Sequence, residues 1–423
     1  MTFTAGAMTS GPMPSPGITA IRFFWLTGLK VINSVDDCHS TPSEMGASRP
    51  CCGSTGEDAR PLPLRYNQIT EKMSLMAQNN SVDAPVAQPA VAGPKADYGD
   101  VHREFHALVS GSAVYDLSLR AKISLTGEDR VRWLNGMVTN NVRDLEPGRG
   151  VYAFLLNPQG HILGDLYAYN RGESLLVDTD QSQVEKILAV FDKYIIMDDV
   201  EVANVGDQLT AVGIAGPKSR ETLQAAGFEV PDLKPLQFVE TTWRDVGVTL
   251  IRGDNPQVEL FELFLAPGNN DRVFEALSKV GARPVGTAAL DLLRIAAGIP
   301  RYGVDIRERD LPQETEQERA LNFSKGCYVG QEIVERIRSR GQVRRKFTGF
   351  AIEGKLPAVG SKIQVEGKDV GEITSASSLP VAGGERLLAL GYIRREAATP
   401  GKLVEAGGST ASVANLPFTE IFR

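Results

Sequence analysis

The segment Lys325-Gly326-Cys327-Tyr328-Val329-Gly330-Gln331-Glu332 brings together the residue types that thiol chemistry needs. Thiolate, not thiol, is the reactive form of cysteine, and neighbouring positive charge stabilises it. Cys327 follows Lys325, sits between two glycines and precedes a dense basic run; the other three cysteines all lie within the first 52 residues. Glycine lets the backbone turn or come close to a partner. The competing reading is a small apolar residue packed in a core, which is common for cysteine.

Two acidic residues on strand-like segments are further candidates. Asp165 follows the turn Asn157-Pro158-Gln159-Gly160 on the run Ile162 to Tyr169. Facing a cavity, it could orient a ligand amine or act as a base; facing water, it would be a surface charge. Glu262 lies in Glu259-Leu260-Phe261-Glu262-Leu263-Phe264-Leu265. Strand alternation puts it on one face with Leu260 and Phe264, where an unpaired carboxylate is costly. A heterocycle with adjacent N–H and NH₂ donors, such as a pterin, would pair with it in bidentate fashion; a buried salt bridge to an arginine is the alternative. Arg294, in the apolar run Ala289 to Gly298, could bind a carboxylate or pair with Asp291. Finally, six of the eleven residues from Arg336 to Lys346 are basic. Their targets could be a folate glutamyl tail, an RNA backbone or an acidic partner, and a charged edge strand is the structural alternative. Few aromatics are interleaved, so the stacking pattern of a single-strand nucleic-acid binder is absent.

These residues need a scaffold, and the chain is long enough for two or three domains: 423 residues, 42% hydrophobic. A net charge of −7 argues against nucleic-acid binding by the molecule as a whole. Four cysteines do not make a disulfide framework, which fits a reducing, cytoplasmic setting. No run is long enough to span a membrane, and residues 1–17 lack the basic residues of a signal peptide. Residues 1–96 are rich in Ser, Thr, Pro, Gly and Ala and read as a disordered extension, with Met73 or Met76 as a possible true start. Cys38-His39 and Cys51-Cys52 are poor matches to zinc-ligand spacing.

From residue 97 to 345 the chain alternates strand and helix. Strands are expected at Ala121–Leu125, Val151–Leu156, Ile162–Tyr169, Leu175–Asp178, Leu209–Ile214, Phe238–Thr242, Val246–Ile251 and Glu259–Leu265. Helices are expected after Asp129, over Val184–Tyr194, after Pro217, and over Asn270–Val280 and Thr287–Ala297. Residues 346–423 carry short β runs between Gly and Pro turns, as a small barrel does. The expected class is α+β with a C-terminal β-barrel.

Taken in order, these segments resemble the YgfZ/GcvT family of folate-binding proteins. The resemblance rests on Lys325 to Glu332, on Gly127-Glu128-Asp129-Arg130 with Leu134-Asn135-Gly136 and Thr139-Asn140, on Gly160 to Asp165, and on Leu293-Arg294 through Gly298, Tyr302-Gly303 and Asp305-Ile306. It runs from about residue 98 to the end. It implies a three-lobed fold around a central folate-binding hole, tetrahydrofolate as ligand, and Asp165, Glu262, Arg294, Lys325 and Gln331 as its contacts, with Glu262 gripping the pterin. One branch of the family is the aminomethyltransferase of glycine cleavage, which usually shows two adjacent aspartates after the glycine turn and no cysteine in the later motif. Here Gly164 holds the first of those positions and Cys327 is present. Both point to the YgfZ-like branch, which supports assembly or repair of iron–sulfur enzymes, including tRNA-modifying ones. Leu260, where the family commonly has glycine, is a local departure. The resemblance therefore implies Cys327 as the reactive centre beside a folate cavity, with iron–sulfur client enzymes or cluster carriers as partners; nothing in the sequence suggests an obligate oligomer, so a monomer is expected. Aminomethyl transfer and a non-catalytic folate-binding scaffold are the alternatives.

Overall fold

The computed structural model describes residues 93–381 and 384–422; the expectations for the N-terminal extension, its cysteines and its start site lie outside them. In chain order the elements are α1 (Val101–Ser110), β1 (Ala113–Asp116), β2 (Arg120–Thr126), α2 (Arg130–Met137), β3 (Arg149–Leu156), β4 (Ile162–Asn170), β5 (Leu175–Asp180), α3 (Val184–Tyr194) and β6 (Glu201–Asn204). There follow β7 (Thr210–Ala215), α4 (Ser219–Ala225), β8 (Phe238–Trp243), β9 (Val246–Arg252), β10 (Leu260–Leu265), α5 (Asn270–Lys279), β11 (Arg283–Pro284), α6 (Thr287–Ala296) and α7 (Gln331–Arg340). Six strands end the chain: β12 (Arg345–Glu353), β13 (Lys362–Val365), β14 (Lys368–Val381), β15 (Gly384–Arg394), β16 (Leu403–Ala406) and β17 (Ser409–Ala414).

The strands form a five-stranded antiparallel sheet in the order β3-β4-β5-β2-β6, a six-stranded sheet in the order β11-β1-β7-β10-β9-β8, and a closed barrel, β12-β15-β14-β13-β16-β17. The expected α+β class with a C-terminal barrel is what the chain adopts. Alternation along each strand decides which face packs where. In the five-stranded sheet Ile123, Ala153, Leu155, Leu166 and Val177 turn towards α2 and α3. On the opposite face Tyr169 and Leu176 meet Ile251 and Phe264 of the six-stranded sheet. Phe261, Leu263 and Leu265 of β10 point away from that contact, into a core shared with Leu223 of α4 and Val273 and Leu277 of α5. Phe105 and Leu108 of α1 and Leu292 and Ile295 of α6 pack on Phe347, Leu388 and Leu390 of the barrel.

Several elements escaped the sequence reading: α1, β1, β6, α7 and the last two barrel strands. The basic run is not an edge strand, as its structural alternative had it. Arg336 to Arg340 form the second half of α7, whose Val334 is buried. Asp129 precedes α2 as expected, but its side chain does not cap the helix; it accepts from the backbone N–H of Asp199 instead, at 3.0 Å.

The loop before α7 is tied to the five-stranded sheet at several points. Gly330 is in the left-handed region (φ +81°), and a Cβ there would meet the carbonyl oxygen of Asn157 at 2.5 Å. Gly160 faces Ile333 of α7 in the same way, at 2.7 Å. Tyr328 packs with Tyr152, Phe154 and Leu156. Lys325, 6% exposed, donates to the carbonyl oxygens of Asn135, Val138 and Asn140 at 2.6, 2.6 and 2.7 Å. It thus satisfies carbonyls at and just beyond the C-terminus of α2, which the helix itself leaves without partners. Burial, with Arg143 nearby, pushes the Lys325 ammonium down to about 7; three carbonyl acceptors work against that by taking up all three of its protons. Lys325→Met keeps the stem and removes the donors, so we expect a loss of about 3 kcal/mol, read as a lower urea midpoint with an unchanged slope.

Candidate functional site

Between the two sheets the chain buries several charges. β2 brings in Arg120 and Lys122, and β5 brings in Asp178. Asp178 lies 2.6 Å from Arg120 and 2.8 Å from Lys122, and Lys122 and Asp178 are almost wholly buried. Burial alone would raise the Asp178 carboxyl, but the two cations hold it below the ordinary carboxylate range. Glu262, on β10 between Gly213 and Ile251, faces this cluster. The ring of Tyr115 lies over Gly213, where a Cβ would come within 2.1 Å of it, so only glycine leaves room for the ring beside Glu262. Leu260, the family departure, fills space that Gly253 leaves free, 1.9 Å from where a Cβ there would sit.

Glu262 Oε2 is shielded from solvent and has no hydrogen-bond partner. Burial is the main cause that raises its carboxyl to about 7; Asp178 adds to it, while Arg120 and Lys122 pull the other way. The sequence reading left open a pterin contact or a buried salt bridge. No ion pair is formed by Glu262 among the described residues, which leaves an acceptor for an outside donor.

Next to this cluster lies a cavity of about 220 Å³ lined by Arg120, Tyr152, Asp165, Arg294, Tyr302 and Arg319, among others. Asp165 is on the β4 face that carries Tyr167 and Tyr169. Its carboxylate accepts from the hydroxyl of Tyr152 and the amide of Gln183, both at 2.7 Å, while its backbone N–H donates to Gln183 at 3.0 Å. These contacts fix the carboxylate at the cavity wall and leave it acceptor capacity. Gly164, its neighbour, points the other way: a Cβ there would lie 2.9 Å from the Gln183 side-chain oxygen and 3.6 Å from Ile187.

Arg319 shapes the same wall. Its guanidinium lies 4.2 Å from the centroid of the Tyr152 ring, donates to the Tyr167 hydroxyl at 3.3 Å and pairs with Asp254. Arg319 also lines a second cavity, of about 330 Å³, together with Asp254, Lys346, Thr348 and Asn415. The first cavity alone is smaller than the roughly 300–1,000 Å³ that drug-sized ligands fill, so a ligand as long as a folate needs both. Four arginines line the first cavity (Arg120, Arg294, Arg301 and Arg319) against two aspartates, Asp165 and Asp180. Each of the four is already paired with a carboxylate, Arg120 with Asp178, Arg294 with Asp291 and Asp305, Arg301 with Asp291 and Arg319 with Asp254, so the wall carries little unspent positive charge.

The remaining expected residues are placed differently. Arg294 borders the cavity, yet its guanidinium is held by Asp291 at 2.8 Å, Asp305 at 2.5 Å and the Ser375 hydroxyl at 2.8 Å, which pins α6 to barrel strand β14. Gln331 starts α7, and its side-chain oxygen accepts from the Tyr328 N–H at 3.3 Å. Lys325 is committed to carbonyls and has no proton left for a thiolate. Cys327 is exposed, so the packed-core reading of this thiol does not hold. Neither Cys327 nor Glu262 is among the lining residues of either cavity, and the expected convergence of sulfur, Glu262 and one cavity is not what the fold builds. Arg120, Lys122, Asp178, Asp254 and Arg319 were all missed by the sequence reading. Arg120 and Lys122 share the strand Ala121–Leu125 and its flank, and a lysine inside such an apolar run was the available signal.

Comparison with known proteins fits this geometry. Residues 65–325 match the family model described as the GCVT N-terminal domain. An aminomethyltransferase of Rubrobacter xylanophilus is 30% identical over 304 residues, 71% of this chain and 80% of that protein. An aminomethyltransferase of Halothermothrix orenii is 29% identical over 336 residues, 76% of this chain and 92% of that protein. The crystal structure of the glycine cleavage system aminomethyltransferase T from Bartonella henselae superposes with a TM-score of 0.68 at 23% identity, over 76% of this chain and 90% of that one, which establishes a shared fold. The chain therefore belongs to the GCVT N-terminal domain family.

Proposed function

We propose that this chain binds a reduced folate across the two cavities and handles its one-carbon unit as an aminomethyltransferase does. The observation that carries the reading is Glu262: a desolvated carboxylate oxygen without a partner, between the sheets, beside charged residues that line both cavities. The N–H and NH₂ edge of a pterin supplies what that oxygen lacks. Asp165, held by Tyr152 and Gln183, is the group placed to orient or deprotonate an amine. The names of the relatives support aminomethyl transfer as the chemistry.

A second reading, support of iron–sulfur enzymes as in the YgfZ-like branch, is favoured by Cys327 and Gly164. In the motif, Lys325 clips carbonyls, Tyr328 packs in a core and Gly330 makes a turn in close contact with another loop. Cys327 is exposed and has no such duty, and the space around Gly326 is open. A stable cluster needs about four protein ligands, and Cys327 is the one cysteine among the described residues. On this reading the sulfur acts transiently, shared with a client or carrier at the surface.

Three experiments test these readings, the first of them with two readouts. Ionised Glu262 costs the fold up to about 3 kcal/mol above pH 7; the cost shrinks as pH falls and disappears only below 4.5, where the carboxyl becomes protonated in both folded and unfolded chains. Glu262→Gln is thus expected to raise the thermal midpoint at about pH 8, by less at about pH 5, and to leave it nearly unchanged at about pH 4. The same variant should lose tetrahydrofolate binding by calorimetry, while wild-type affinity should fall by up to about tenfold per pH unit below 7; equal affinity in wild type and variant would remove the pterin contact. In the second experiment, aminomethyl-lipoyl carrier and tetrahydrofolate should yield methylenetetrahydrofolate, with a rate at least about a hundredfold lower for Asp165→Asn. No product from wild type would shift the assignment to the second reading. Under that reading the third applies: Cys327→Ala abolishes support of iron–sulfur enzyme activity in cells and leaves folate affinity intact.

A further inference from the structure

The loop between α3 and β6 holds two large apolar side chains in water: Ile196 is 82% exposed and Met197 93%. Scattered single apolar residues on a surface are ordinary, but these two are adjacent and their loop is tied down at both ends. The N–H of Ile195 donates to the carbonyl of Phe191, and that of Asp129 to the carbonyl of Asp199, both at 3.1 Å. The Trp133 indole donates to the Tyr194 carbonyl at 3.2 Å, Arg132 to the Asp198 carboxylate at 2.6 Å, and the Glu128 N–H to the Asp199 carboxylate at 2.9 Å. Gly127 (φ +93°) packs so closely that a Cβ there would meet the Asp199 carbonyl oxygen at 2.1 Å. The pair is thus displayed by a rigid tip. Around it, Glu128, Asp192, Asp199 and Glu201 are exposed and form no ion pair among the described residues. Arg132 is shared between Asp129 and Asp198, and Arg130 is turned to the carbonyls of Gly127 and Gly172. That leaves Lys193 as the exposed cation of a rim that is otherwise acidic.

We propose that Ile196 and Met197 anchor a docking surface for a protein partner that presents an apolar groove edged with lysines or arginines. The surface stands whichever reading of the function above holds. Interface centres are enriched in methionine and aromatic residues, and a few apolar anchors seated in a partner's pocket carry most of the binding. A tip fixed in advance gives up little conformational freedom on docking. The carboxylates around it speed the approach of a basic rim and set its orientation, while they repel phosphate backbones and anionic membrane surfaces. Val329, two residues beyond the exposed Cys327, packs into the same cluster as Tyr194 and Ile195. A partner seated on the tip therefore lies beside the loop of that thiol.

The test begins with the full chain carrying the photo-reactive residue p-benzoylphenylalanine in place of Lys193, irradiated in its own cells. One protein should be cross-linked, through a peptide that lines an apolar groove flanked by lysines or arginines. Purified, that protein should bind the wild-type chain in calorimetry, and more weakly as salt rises. The double variant Ile196→Ser, Met197→Ser should bind it about a hundredfold more weakly, with an unchanged thermal midpoint because both side chains are exposed. The triple variant Glu128→Gln, Asp192→Asn, Glu201→Gln should lose most of the salt dependence. Absence of a cross-link, a cross-link to a second copy of this chain, or a partner that binds the double variant as tightly as the wild type would overturn the proposal. Co-sedimentation with phosphatidylcholine vesicles that is lost in the double variant would overturn it too, and give the tip to a membrane.

Discussion

Charges taken out of water must find opposite charges, and the space between the two sheets is organised by that requirement. Arg120, Lys122 and Asp178 satisfy one another within 2.8 Å, and Arg319 and Asp254 do so across the wall between the cavities. Glu262 is drawn into the same region by its place on β10 and finds no hydrogen-bonding partner for Oε2. The sheets could not close over these groups if the pairs were absent. With the pairs present, the unsatisfied acceptor persists. The cost of keeping it is the elevated proton affinity of the carboxyl, caused first by burial and second by Asp178. The ion pairs and the unpartnered carboxyl are therefore one electrostatic network.

The motif from Lys325 to Glu332 shows how a functional signature and a structural one can overlap. A lysine beside a cysteine reads as thiolate activation when distance along the chain is all that is known. In the folded molecule that lysine reaches carbonyls up to 190 residues away. The glycine at 330 allows close packing against the turn at Asn157. Subtracting these duties leaves Cys327 as the residue whose exposure is otherwise unexplained.

Much of the scaffold was legible because hydrophobic period is local. The alternation in β10 placed Glu262 on one face with Leu260 and Phe264, while Asp165 on β4 was left open between cavity and water, and the helix Val184–Tyr194 was plain from its apolar stripe. The helix α7 was not, because arginines dominate it and only Val334 is buried; α1 was hidden by the contrast with the preceding polar segment. The site was legible as candidates but not as a constellation. That Arg294 would be taken by Asp305 and Ser375, or that Arg319 would meet Asp254, depends on contacts spanning up to 81 residues. Such pairings follow from tertiary closure and leave no local spacing to read.

The contact of Gly160 with Ile333, and of Gly330 with Asn157, locks the β3–β4 hairpin to the start of α7. Asp165 stands a few residues down that hairpin, and Cys327 stands just ahead of that helix. Sulfur on the outside and carboxylate at the cavity wall are thus joined through one tightly packed seam, which leaves neither glycine replaceable without parting the two.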